Sequence, residues 1–137
     1  MDKSFPLSGF GSAALHAGHK KDPMYAHVTP IYASSTFVYD EAEQGMRRFS
    51  GEEDGYIYSR WGNPNFTEAE NKIAALEAFG LKDSSGKPLQ LKAFLHASGM
   101  AALTTLMVSN LKKGDKTLSH YSLYSGLEEM ITRILPQ

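Results

Sequence analysis

Hydrophobic and polar positions divide the chain into two stretches of different texture. Up to about Arg60 aromatic residues recur without a period: Phe5, Phe10, Tyr25, Tyr32, Phe37, Tyr39, Phe49, Tyr56 and Tyr58 stand among Gly, Pro and Ser. One helix is predicted there, from about Asp40 to Arg48. Asp40 suits its N-cap, and Glu41 and Glu43 fall in the first turn, where carboxylates meet the positive end of the helix dipole. A long irregular segment rich in rings does not hold itself together. Its aromatics are expected to bury against the rest of the chain or a partner subunit.

From Asn65 onward the pattern turns regular. Thr67 and Glu70 read as a T-x-x-E capping box, Ile73, Leu76 and Phe79 follow at helical spacing, and Gly80 is a fitting stop. Asp83 to Pro88 is a turn-rich loop, and Leu91 to Ala97 reads as a short strand. Ser98, Gly99 and Met100 open a second helix to about Leu111, with Leu103, Leu106 and Met107 on its apolar face. Gly114 and Asp115 make a turn, Thr117 to His120 a second strand, and Ser122 to about Leu135 a third helix. This order predicts an α/β unit with a parallel strand pair joined by a right-handed crossover. Two strands are too few for a sheet covered on both faces. The expectation is therefore the front part of a larger α/β protein.

Composition narrows the classes of function. Fourteen Lys and Arg against 15 Asp and Glu give a net charge of -1, which argues against a strongly basic nucleic-acid binder. With 42% hydrophobic and 21% charged residues the chain is of ordinary globular composition. No apolar run approaches the roughly 20 residues that cross a bilayer, and the N-terminus lacks the apolar stretch of a signal peptide. The absence of cysteine removes disulfides, thiolate metal sites and a cysteine nucleophile, and makes the cytoplasm the simplest expectation.

Three constellations offer chemistry. Ser98, Gly99, Met100, Ala101 and Ala102 lie where a strand gives way to a helix, and the unpaired N–H groups of a first helical turn favour an anion. The plainer reading is a serine N-cap followed by small residues for packing. Tyr58 and Arg60, two positions apart, fall on one side of an extended chain. A phenol beside a planar guanidinium suits a phosphate dianion. The plainer alternative stacks Arg60 on Trp61 or Tyr58 with its head in water. Tyr124, again just past a strand, has a ring that suits a flat ligand, or else packs on a neighbouring helix.

Other features carry less. Gly80 to Lys87 fails as a P-loop, because five residues separate Gly80 from Gly86 and Pro88 stands where Ser or Thr is needed. His16 and His19 lack a further ligand cluster, so no metal is expected. His96 reads as a core residue, and Lys112, Lys113 and Lys116 as a solvated edge.

Taken in order, Thr29 to Tyr32, Ser34 to Phe37, Tyr58 to Pro64, Ser98 to Ala102, Gly114 with Asp115, and Leu123 with Tyr124 resemble the Cys/Met-metabolism (transsulfuration) family of pyridoxal-phosphate enzymes. That family includes cystathionine gamma-synthase, cystathionine lyases, methionine gamma-lyase and O-acetylhomoserine sulfhydrylase. The likeness spans nearly the whole chain and roughly the first third of a family member. It implies the N-terminal portion of a fold type I, aspartate-aminotransferase-like transferase. Residues 1–60 would form an arm contacting a neighbouring subunit, and residues 61–137 the incomplete start of the α/β domain that binds pyridoxal 5'-phosphate (PLP).

By the same resemblance, Tyr58 and Arg60 match positions that hold the cofactor phosphate of the adjacent subunit. Gly99 and Met100, with the Ser98 hydroxyl, match the groups that bind the phosphate in their own subunit. Tyr124 matches the catalytic tyrosine that stacks on the pyridine ring and helps move protons. The implied reaction is γ-elimination or γ-replacement on a homoserine-derived or sulfur amino acid, in a cytoplasmic homo-oligomer (a dimer or a homotetramer) with shared sites. Neither nucleic acid nor membrane is an expected partner. Asn65 replaces the family's usual threonine, and Ser125 with Gly126 replaces a Gly-Gly pair. No lysine here matches the motif of the Schiff-base lysine, so the missing C-terminal portion is an expected partner and the 137-residue piece alone is expected to be inactive.

Overall fold

In the computed structural model the described residues are 9–135. The chain separates into two compact units, Met1–Phe94 and Leu95–Gln137, and each has its own small core.

The first unit is built on three helices, α1 (Phe10–His16), α2 (Ala42–Ser50) and α3 (Pro64–Glu77). The sequence pattern did not anticipate α1, a seven-residue helix flanked by glycines. It forms because it packs on α3 through small residues: Ala13 and Ala17 of the α1 segment and Ala74 of α3 are all buried. Phe10 meets Phe79 edge-on at 5.5 Å. Lys72 Nζ donates to the Leu15 carbonyl at 3.2 Å, near the C-terminal end of α1. Gly18 then turns the chain at φ +78°. A Cβ there would come within 2.5 Å of the Glu68 carbonyl, so the close approach of the turn to α3 requires glycine.

The start of α3 corrects the expected capping box. Asn63 is the N-cap, its side chain accepts from the Asn65 N–H, and Pro64 takes the first helical position. Proline is suited to that position because its missing N–H would be unpaired anyway. Thr67 lies inside the helix, where its N–H bonds the Asn63 carbonyl at 3.0 Å. Helix α2 also begins later than expected: Glu41, not Asp40, is the N-cap. Instead of capping, Asp40 donates its N–H to Gln44 Oε1 at 2.9 Å. The Tyr39 ring covers Gly45, which is buried, and Gly51 ends the helix at φ +79°.

The segment that carries Tyr58 is paired with Ser35 to Phe37 by a single antiparallel bridge between Thr36 and Tyr58. Its hydrogen bonds run from Phe37 N–H to the Ile57 carbonyl (3.2 Å) and from Ser59 N–H to the Ser35 carbonyl (2.9 Å). The Asp83 to Pro88 loop closes on itself, with Asp83 Oδ1 accepting from the N–H groups of Ser85 and Lys87 and from the Ser85 hydroxyl.

The second unit holds α4 (Gly99–Asn110) and α5 (Ser125–Glu129), which runs on into a π-helical turn, Met130–Ile134. The expected third helix is thus present but starts later and loosens midway. In the loosened turn Leu135 N–H reaches back five residues to the Met130 carbonyl. Among the described residues of this unit Met130 is the buried one, and its sulfur accepts from Thr104 Oγ1 of α4 at 3.6 Å. On α4 Met100, Ala101, Ala102, Leu103 and Met107 are half-buried, whereas Leu106 is exposed.

The expected strands at Leu91 to Ala97 and Thr117 to His120 form no ladder among the described residues. A strand exists as part of a ladder of main-chain hydrogen bonds with a neighbour, and among the described residues no such ladder includes these segments. Leu118 is fully exposed, and His96, read as a core residue, is exposed as well.

Candidate functional site

Each unit carries some of the residues singled out in the sequence. In the first, Arg60 is exposed and its guanidinium lies 4.7 Å above the Tyr58 ring. This is the stack on Tyr58; Trp61 turns instead to Phe49, edge-on at 5.5 Å. The other arginines of this unit are committed elsewhere. Arg47 bonds Glu41 and Glu53, and Arg48 bonds Glu53 at 3.2 Å. Burial pushes the Glu53 carboxyl up, but hydrogen bonds from Arg47, Gln44 and Arg48 together outweigh it and hold Glu53 below the ordinary carboxylate range. Arg60 has no carboxylate partner among the described residues. Its fork is open to an anionic ligand.

Side chains below Arg60 fix the main chain that carries it. The Ser59 hydroxyl donates to the Ser34 carbonyl, and Asn63 Nδ2 reaches both the Tyr32 carbonyl (2.9 Å) and Ser59 Oγ (3.3 Å). Asn63 is buried, and its part in the site was not foreseen. The available signal was an asparagine directly before a proline, a pair that fits N-cap and first helical turn.

In the second unit Ser98 caps α4, its Oγ accepting from the Ala101 N–H at 3.1 Å. The Ala102 N–H goes to the Ser98 carbonyl. The N–H groups of Gly99 and Met100 are then left without a partner among the described residues. The position a Cβ would take on Gly99 faces open space. Two open amides, a hydroxyl that keeps its proton to donate and a residue without a side chain suit the oxygens of a phosphate. The donor set therefore fits the phosphate of PLP. Tyr124 is the N-cap of α5 and 66% exposed. Its ring and the Met100 sulfur both lie against Gly126, so the structure brings Met100 and Tyr124 to one place. No cluster of metal-binding side chains occurs among the described residues.

Residues 11–137 match the Cys/Met metabolism PLP-dependent enzymes. The chain belongs to that family. Within it, the chain is 43% identical to the L-methionine gamma-lyase of Porphyromonas gingivalis over 85% of this chain and 27% of the lyase. It is 35% identical to the O-acetyl-L-homoserine sulfhydrylase of Corynebacterium glutamicum, over 89% of this chain and 26% of the sulfhydrylase. Among solved structures, the metY protein of Campylobacter jejuni, which carries N'-pyridoxyl-lysine-5'-monophosphate, covers 92% of this chain with a TM-score of 0.77 and 25% identity. The chain accounts for 28% of that protein, and it spans about a quarter of the curated relatives it matches. The structural neighbours are fold type I, PLP-dependent α/β enzymes, and the chain corresponds to a portion of them.

Proposed function

We propose that this chain supplies the phosphate-holding and ring-holding groups of a PLP-dependent enzyme that removes or replaces the γ-substituent of a sulfur amino acid. The observation that carries the reading is an arginine with no carboxylate partner, stacked on a tyrosine, in a family chain that also holds a serine-capped helix with two open amides. The higher identity to a methionine gamma-lyase than to a sulfhydrylase supports elimination over replacement.

When bound, PLP supplies an electron sink for the pair left by the departing α-proton. The protein's part is anchoring. The Gly99 and Met100 amides and the Ser98 hydroxyl hold phosphate oxygens, and the Arg60 fork with the Tyr58 hydroxyl holds others. With the phosphate fixed, the reactive carbon is fixed too. Tyr124 lays its ring on the cofactor and carries a proton on its hydroxyl oxygen. Residues 1–60 act as an arm to a neighbouring subunit in a cytoplasmic dimer or homotetramer, a reading supported by the exposed Ile31 and Val38 of that stretch.

The test is made on the full-length polypeptide that carries this chain. Arg60→Ala should weaken PLP binding about 10- to 100-fold, the worth of a charge-assisted bond, and leave pyridoxal, which lacks the phosphate, unaffected. With L-methionine the loaded protein should release a thiol, ammonia and a 2-oxo acid. Equal weakening of PLP and pyridoxal would overturn the role of Arg60. Absence of any PLP-dependent turnover would leave a non-catalytic phosphate-binding module.

A further inference from the structure

Asn65 is the second residue of α3, yet its side chain serves another segment. Its Oδ1 accepts from the Tyr32 N–H at 2.8 Å, and its Nδ2 donates to the Pro30 carbonyl, also at 2.8 Å. A carbonyl and an N–H two residues apart are what one residue of a parallel strand engages with its own N–H and carbonyl. The planar amide, with a donor and an acceptor side by side, takes the place of that strand residue. From Tyr32 the bonds continue. The Tyr32 carbonyl accepts from Asn63 Nδ2, which also contacts Ser59 Oγ, and Ser59 lies between Tyr58 and Arg60.

We propose that Asn65 is a positioning residue for the phosphate fork. By standing in for a strand it fixes the Pro30 to Tyr32 segment and, through Asn63 and Ser59, sets the direction in which Tyr58 and Arg60 are presented. The proposal rests on the reading of Tyr58 and Arg60 as phosphate holders. Threonine has one hydroxyl, donor and acceptor on the same atom and on a shorter arm, and does not span the two groups as the planar amide does. Aspartate still accepts from Tyr32 but sets a negative oxygen against the Pro30 carbonyl. Alanine serves neither.

The test measures affinity for PLP and for pyridoxal in the full-length polypeptide, with Asn65→Ala, Asn65→Asp, Asn65→Thr, Arg60→Ala and the Arg60→Ala/Asn65→Ala pair. Asn65→Ala and Asn65→Asp should weaken PLP binding about 3- to 10-fold, as expected for one hydrogen bond, with pyridoxal unchanged. Asn65→Thr should fall between these and the parent, and gives the readout if the other two fail to fold. In the Arg60→Ala background Asn65→Ala should add less than it does alone, because the effect through Arg60 is gone and only that through Tyr58 remains. Equal loss on both ligands, or full additivity with Arg60→Ala, would make Asn65 a part of the fold alone and overturn the proposal. If Arg60→Ala itself leaves PLP binding intact, the phosphate reading fails first and takes the proposal with it.

Discussion

Gly126 stands where two candidate site side chains converge. A Cβ there would lie 2.8 Å from Tyr124 Cε1 and 3.2 Å from Met100 Sδ. Gly126→Ala must therefore displace the ring or the thioether. Both are ends of movable side chains, so stability should change by no more than about 0.5 kcal/mol. The Tyr124 ring resonances in an NMR spectrum should nevertheless shift. If they stay in place while the protein folds, the ring does not rest on Gly126. At this scale the sequence was most legible where chemistry is local. The Ser98 cap, with its small neighbours, follows from hydrogen bonds within four residues. Asn63 was harder, because the Thr67 and Glu70 pattern offered a competing start for the same helix. Pro64 decides between them, since it suits the first turn and would break an interior one. The bonds from Asn65 to Pro30 and Tyr32 span more than 30 residues and leave no local trace in the sequence.

Elements that depend on a neighbour were the ones the pattern misread. Helix α1 is too short to be stable alone; it exists because Ala13 and Ala17 let it approach α3. The turn at Gly18 is the sensitive point. Gly18→Ala should cost on the order of 1–3 kcal/mol from the left-handed backbone alone, with the contact to the Glu68 carbonyl adding to it. A thermal unfolding midpoint equal to the parent's would contradict this packing. Helix α2 responds to acid. The folded Glu53 carboxyl lies below its ordinary value of 4.5. Its stabilising bonds are therefore fully present above that value and are lost as pH falls through the lower, folded value. Glu53→Gln should flatten the fall of the urea midpoint as pH drops below 4.5. The group is only half-buried, so added salt should shrink the difference. An unchanged acid slope would show that the arginine bonds do not form in solution. The missing strand ladders belong to this scale as well: Leu91 to Ala97 and Thr117 to His120 have strand-like composition, but pairing is not a property of one segment.

At the scale of the molecule, the described chain keeps much apolar surface in water. Ile31 is 88% exposed and Val38 92%, and Met24, Tyr25 and Leu118 are also open. The rings pair in part, Phe37 with Tyr56 and Phe49 with Trp61, but the buried side chains of the first unit are chiefly alanines. Exposed apolar surface on this scale calls for a cover. The aromatic arm thus presents apolar surface that other protein could cover. That surface supports the assembly proposed above, in which two subunits complete one site. The most direct measurement is the structure of the assembled, PLP-loaded protein. The account predicts the cofactor phosphate within about 3 Å of the Gly99 and Met100 amides of one subunit and of the Arg60 guanidinium of another. A phosphate held by other groups, with every copy of Arg60 turned to solvent, would contradict it.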